Sequence, residues 1–177
     1  MSSKNSVLMG AVAGAAAGLL GSFAMNQFQG IWSEKVKGKR RAHGAQSLKH
    51  AGPQMNHGEP EDPNTLLAAR VSEAITGHKP SDEERERLGV LGHYALGGAL
   101  GAMYGMLRSR YPAVAAGYGT LFATGVWAVV DEIGMPAAGL SKPPGEYPLW
   151  IHAYSLSSHL VYGATTDLAL RGLAPGE

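Results

Sequence analysis

The chain has no cysteine among its 177 residues, which excludes disulfides, thiolate metal sites and cysteine nucleophiles. Charge is scarce as well. Asp, Glu, Lys and Arg make up 16% of the chain, against roughly 25% in soluble domains. The net charge of +1 is too small to imply a nucleic-acid partner. The sequence also lacks a phosphate-cradling glycine loop, a nucleophile elbow and a His-Glu metalloprotease motif, so no enzymatic activity is expected.

The few charges are gathered in patches, and what lies between them is long. Between Lys4 and Glu34 run 29 residues without a charge, and three further charge-free windows of 20 cover 88–107, 111–130 and 147–166. A helix needs about 20 mainly apolar residues to cross the hydrocarbon layer. The mean hydropathy of −0.08 averages these windows with the charged patches and so hides them. A soluble helix needs a polar face, and these windows offer only Gly, Ser, Thr, Tyr and His for one. The reading is therefore all-α: an integral membrane four-helix bundle of two repeated hairpins, one domain over 1–177. Its spans are expected at 6–32, 86–108, 112–133 and 148–170. The apolar run 7–24 exceeds the usual core of a cleaved signal peptide, so it is read as a retained span.

Small residues recur at four-residue spacing on these spans. Gly10, Gly14 and Gly18 share one face of the first, and Gly97, Gly101 and Gly105 one face of the second. Such ladders let two backbones approach closely. His93 precedes Gly97 by four residues, and His159 precedes Gly163 in the same way, which suggests the repeat.

The loop 33–85 is expected in the cytoplasm, because Lys35, Lys37, Lys39, Arg40 and Arg41 follow the first span directly. Both termini then lie on the periplasmic side. His43, His50 and His57 stand seven apart in this loop and are the candidate metal ligands. Outside a helix their spacing fixes no geometry, so a solvated loop is the simpler reading. Asp62-Pro63 opens a short helix with an apolar stripe of Leu67, Val71, Ala74 and Ile75, expected in the interface or against the bundle. Ser81 answered by Glu84 has the form of a capping box.

The run from Gly92-His93-Tyr94 to Met103-Tyr104-Gly105 resembles the YagU-like bacterial inner-membrane proteins, whose function is unknown. Gly125-Val126-Trp127, Pro136, Gly139-Leu140, Pro143-Pro144 and Ser158-His159-Leu160-Val161-Tyr162-Gly163 extend the likeness. It implies an inner-membrane protein of four spans and supplies no catalytic residues. Asp131-Glu132 departs from the more neutral pattern expected there.

Several polar residues fall near one membrane face. Asn26 and Gln27 end the first span, Asp131 and Glu132 end the third, and His93 and His152 stand near the start of the second and fourth, with His159 about 10 Å deeper at roughly 1.5 Å per residue. Ionisable groups inside a membrane usually face a partner or a wet cavity. A polar intramembrane pocket of Asn26, Gln27, His93, Asp131, Glu132, His152 and His159 is the sharper expectation. Headgroup-level carboxylates with His-mediated helix contacts are the plainer one. Counting from the start of each charge-free window pairs His93 with His152 in depth, whereas the repeat pairs His93 with His159. Either pairing would be needed for a b-type haem, which is the electron-transfer alternative; no other cofactor is implied. A proton or ion pathway is the second alternative. The leading expectation is a structural or accessory subunit that contacts lipid and other membrane subunits or a second copy.

Overall fold

The computed structural model describes residues 3–37 and 62–173. His43, His50 and His57 lie outside the described residues. Among the described residues every regular element is helical and there is no strand. Helix α1 spans Ser3–Lys37, α2 Pro63–Thr76 and α3 Asp82–Arg110. A short 3₁₀ turn at Pro112–Ala115 leads to α4, Thr120–Val126. This runs without a break into a π-helix, Trp127–Gly134, and a last turn α5, Met135–Ala137. After a 3₁₀ turn at Pro144–Glu146, α6 covers Leu149–Leu173.

Helices α1 and α3 run antiparallel along the two glycine ladders. A methyl group on Gly14 or Gly18 would collide with the carbonyls of Gly101 and Gly97, and one on Gly10 would sit 2.8 Å from the Gly105 carbonyl oxygen. Helix α6 packs on another face of α1, antiparallel to it. Gly21 meets Tyr162 and Thr166 near one end, and Phe28 and Trp32 stack on Tyr154 near the other. Helix α4 runs antiparallel to α6, where Gly163 lies against the Gly119 carbonyl. Residues near 6, 108, 112 and 171 therefore share one end of the bundle.

The expected third span, 112–133, is not one rod. Residues 112–119 form the 3₁₀ turn and then three consecutive positive φ values, at Gly117 (61°), Tyr118 (57°) and Gly119 (80°). Pro112 has no N–H to donate, and the two glycines make left-handed backbone cheap, so the helix starts only at Thr120. By length and apolar composition, Ser6–Ser33 is the one segment among the described residues able to cross a membrane. Helices α3 and α6 have the length, but Gly, Ser, His and Tyr dilute their apolarity.

Helix α2 begins as expected: Asp62 accepts from the Asn64 N–H, Pro63 stands first, and Gly77 closes the helix in left-handed conformation. Its apolar stripe, however, does not pack on the bundle. Thr65, Ala68 and Ala69 dock on Gly89 and Gly92 of α3, while Leu67, Val71, Ala74 and Ile75 face outward. Small side chains against glycine allow the closer approach, which turns the bulky stripe away. Ser81 and Glu84 form the reciprocal capping box. The Ser81 backbone N–H holds the Glu84 carboxyl below the usual carboxylate range.

Candidate functional site: a polar interior between two buried carboxylates

Several polar side chains are buried in the bundle while many large apolar ones are exposed. Ser158 and Asp167 are fully buried, and Ser22, Gln29, Thr166 and His159 nearly so. Leu8, Met9, Val12, Leu20, Phe23, Leu121, Val129 and Ile133 are exposed.

The π-helix positions the first carboxylate. Its backbone closes five residues back, Met135 N–H donating to the Val130 carbonyl. This wider winding brings neighbouring side chains into closer directions than an α-helix would. Asp131 and Glu132, expected on different faces, both reach α6. Ser155 donates to Asp131 Oδ2 at 2.8 Å, and His159 Nε2 lies 3.7 Å from the same oxygen. His152 Nδ1 lies 2.8 Å from Glu132 Oε1 and its Nε2 3.1 Å from the Pro144 carbonyl.

Hydrogen-bond inventory fixes the protons on these rings. A carbonyl only accepts, so His159 Nδ1, 2.9 Å from the Ser155 carbonyl, carries a hydrogen. In the neutral ring Nε2 is then an acceptor, facing a carboxylate that is also an acceptor. The pair is satisfied only with a further proton on one of the two groups, or with a water between them. His152 faces an acceptor at each nitrogen and satisfies both only as the imidazolium.

Beside Asp131 and His159 lies a cavity of about 40 Å³, lined also by His93, Gln29, Ser22 and Asn64. It is roomy enough for water, which needs roughly 10–15 Å³ measured this way. Among the described residues the Gln29 Oε1 and the Ser22 hydroxyl have no hydrogen-bond partner, which leaves two polar atoms here for a water to serve.

The polar lining continues along α6. Tyr162 donates to the Gly97 carbonyl at 2.7 Å, and the Thr166 hydroxyl has no partner among the described residues. The column ends at Asp167, which accepts from the Tyr104 hydroxyl at 2.6 Å and from Arg171 Nε at 2.7 Å, with Arg108 Nη1 at 3.4 Å. From Ser155 to Asp167 the column is about 18 Å long at roughly 1.5 Å per residue.

The structure regroups the residues expected in the pocket. His93, Asp131 and His159 line one cavity; Glu132 and His152 form a separate pair beside it. Asn26 donates to the Tyr94 hydroxyl at 3.3 Å, outside the cavity lining. Gln27 lies on the exposed face of α1, and Gln29 takes the interior position instead. The depth match of His93 with His152 is also overturned. Measured from the helix starts, His93 is the twelfth residue of α3 (93 − 82 + 1) and His159 the eleventh of α6 (159 − 149 + 1). The charge-free windows begin at unequal points of these two helices, so counting within them misaligned the histidines. Asp167 was legible only as a four-apart partner of Arg171; Tyr104 and Arg108 come from a distant part of the chain. Among the described residues no group of three His, Cys, Asp or Glu is placed to hold a metal ion.

Compared with protein families, residues 63–168 match one described as a protein of unknown function, DUF1440. The matched region holds His93, Asp131, Glu132, His152, His159 and Asp167 and leaves out α1. Neither a curated protein nor a solved structure matches the chain.

Proposed function

Since the chain belongs to the DUF1440 family of proteins of unknown function, we propose a role for it on geometric grounds: a small, non-enzymatic bacterial inner-membrane protein whose interior takes up and relays protons. We read this family as the one that the YagU-like resemblance pointed to, with α1, α3, the joined α4 and π-helix, and α6 crossing the bilayer and both ends periplasmic.

One observation carries the reading. His159 Nε2 and Asp131 Oδ2 face each other at 3.7 Å beside a water-sized cavity, two acceptors that a shared proton or a bridging water would satisfy. Such a site binds a proton and can pass it to water. The hydroxyls of Tyr162 and Thr166 continue from it toward Asp167, a second buried carboxylate. The apolar exterior supports lipid as the surrounding phase, because a ring of large exposed aliphatic side chains is unfavourable in water.

The b-type haem is a poorer fit. The cavity between His93 and His159 is about 40 Å³, whereas pockets for organic ligands run roughly 300–1,000 Å³. The accessory-subunit reading has its own support in the exposed Leu8, Met9, Val12, Leu19, Leu20 and Phe23 on α1, a face another membrane helix would cover.

The test is proton flux into liposomes holding the purified chain and a pH-sensitive dye, driven by a potassium diffusion potential. Wild type is expected to acidify the lumen above empty vesicles. Asp131→Asn is expected to cut the rate by about tenfold or more, on the scale of a positioned proton carrier. Flux equal to empty vesicles, or unchanged in Asp131→Asn, removes the proton role and leaves the subunit reading.

A further inference from the structure

The opposite end of the bundle holds a different kind of site. Ser6, Arg108, Ser109, Pro112, Ala115 and Arg171 line a cleft of about 410 Å³. Two guanidinium groups meet there over one carboxylate, Asp167, which is fully buried at the base. The local charge is thus two positive and one negative, a net of +1. Every other acidic side chain described (Asp62, Glu73, Asp82, Glu83, Glu84, Glu86, Asp131, Glu132 and Glu146) belongs to α2, the start of α3, the end of the π-helix or the turn before α6. Those are all parts of the far end.

Asp167 holds the arginines while consuming little of their donor capacity. Arg171 uses Nε on the carboxylate and rests over the Tyr118 ring at 5.2 Å, which fixes the plane of its guanidinium. Its two terminal nitrogens have no hydrogen bond among the described residues. Arg108 gives one nitrogen to Asp167 at 3.4 Å. A planar guanidinium fixed on one edge presents parallel N–H donors that match phosphate oxygens. The Ser109 hydroxyl, now donating to the Gly105 and Met106 carbonyls, stands at the same rim.

We propose that this cleft binds a phosphate monoanion through Arg108 and Arg171, either in an anionic phospholipid headgroup or as free phosphate. The lipid source rests on the membrane reading above. The cleft abuts the far end of the proposed relay, since both arginines contact Asp167, but it uses neither Asp131 nor His159.

The experiment uses the full chain in a neutral detergent and follows its thermal midpoint with added phosphatidylglycerol, phosphatidylcholine or inorganic phosphate, with sodium chloride matching ionic strength. Ser109→Glu sets a carboxylate at the exposed rim while leaving the Arg–Asp167 contacts in place. Phosphatidylglycerol is expected to raise the wild-type midpoint by about 3 °C or more, phosphatidylcholine to have little effect, and Ser109→Glu to lose the rise measured against its own lipid-free midpoint. A rise with inorganic phosphate equal to that with phosphatidylglycerol supports the site and makes free phosphate the ligand. Equal responses to the two lipids, or a full response in Ser109→Glu, overturn it. Loss of proton flux with this lipid response intact would sink the relay alone.

Discussion

Asp167 shows how much one buried side chain organises. It is fully buried, yet it is met by a phenol hydroxyl and two guanidinium groups. Removing one member of a buried charged cluster leaves the others uncompensated, at a cost of about 3–5 kcal/mol. Asp167→Ala is expected to lose that much stability to denaturant in detergent micelles, followed by far-UV circular dichroism. Tyr104→Phe, which removes one hydrogen bond to the charged group, is expected to lose about 1.5–3 kcal/mol. An Asp167→Ala variant as stable as wild type would show that the cluster is not structural. The sequence gives the Asp167–Arg171 spacing and nothing of Tyr104, because contacts 63 residues apart leave no periodic trace. The same limit explains Gln27 and Gln29. Two glutamines two positions apart point to different sides of α1, and only its packing against α3 and α6 decides which is interior.

Among the elements, the π-helix contributes most to the candidate site and is the least visible beforehand. Nothing in Trp127-Ala128-Val129-Val130-Asp131 signals wider winding, and an ordinary helix would point Asp131 and Glu132 about 100° apart. Deleting Val129, whose side chain is exposed, allows that segment to return to α-helical bonding and turns Asp131 away from Ser155 and His159. Helical content is expected to persist by circular dichroism while proton flux falls to the level of Asp131→Asn. Flux that survives the deletion would show that the π register does not position the carboxylate. Other elements were readable. The glycine ladders stand out at four-residue spacing, and the α2 and α3 caps by their Asp-Pro and Ser-x-x-Glu patterns. The break at 112–119 is hidden by the absence of charge there and shows only in the Pro and Gly residues inside the window.

At the scale of the whole molecule, the distribution of polarity is the informative quantity. Ser22, Gln29, Ser158, His159, Thr166 and Asp167 are buried among apolar residues, while many Leu, Met, Val and Phe side chains are exposed. On the membrane reading proposed above, those exposed apolar side chains face lipid. The chain expressed in a bacterial cell is therefore expected to stay in the membrane pellet after alkaline carbonate washing and to need detergent for release. Recovery in the aqueous supernatant would end the membrane reading. The all-helical class is legible from the charge-free windows, whereas the number of crossings is not, since among the described residues only Ser6–Ser33 is long and apolar enough by composition. A helix whose inward face carries Gly, Ser and His looks half-polar when averaged around its circumference.

The glycine seam also divides the molecule mechanically. Where α1 and α3 touch backbone to backbone, neither has a side chain that can swing aside, so the two behave as a single stiff frame. On the proton reading proposed above, rearrangement on gain or loss of a proton would fall to the other pair, the π-wound rod and α6. Around the carboxylates these meet through hydrogen bonds and two carboxylate–imidazole pairs, contacts that can be broken and remade without unseating the frame, whereas at their other end Gly163 lies against the Gly119 carbonyl.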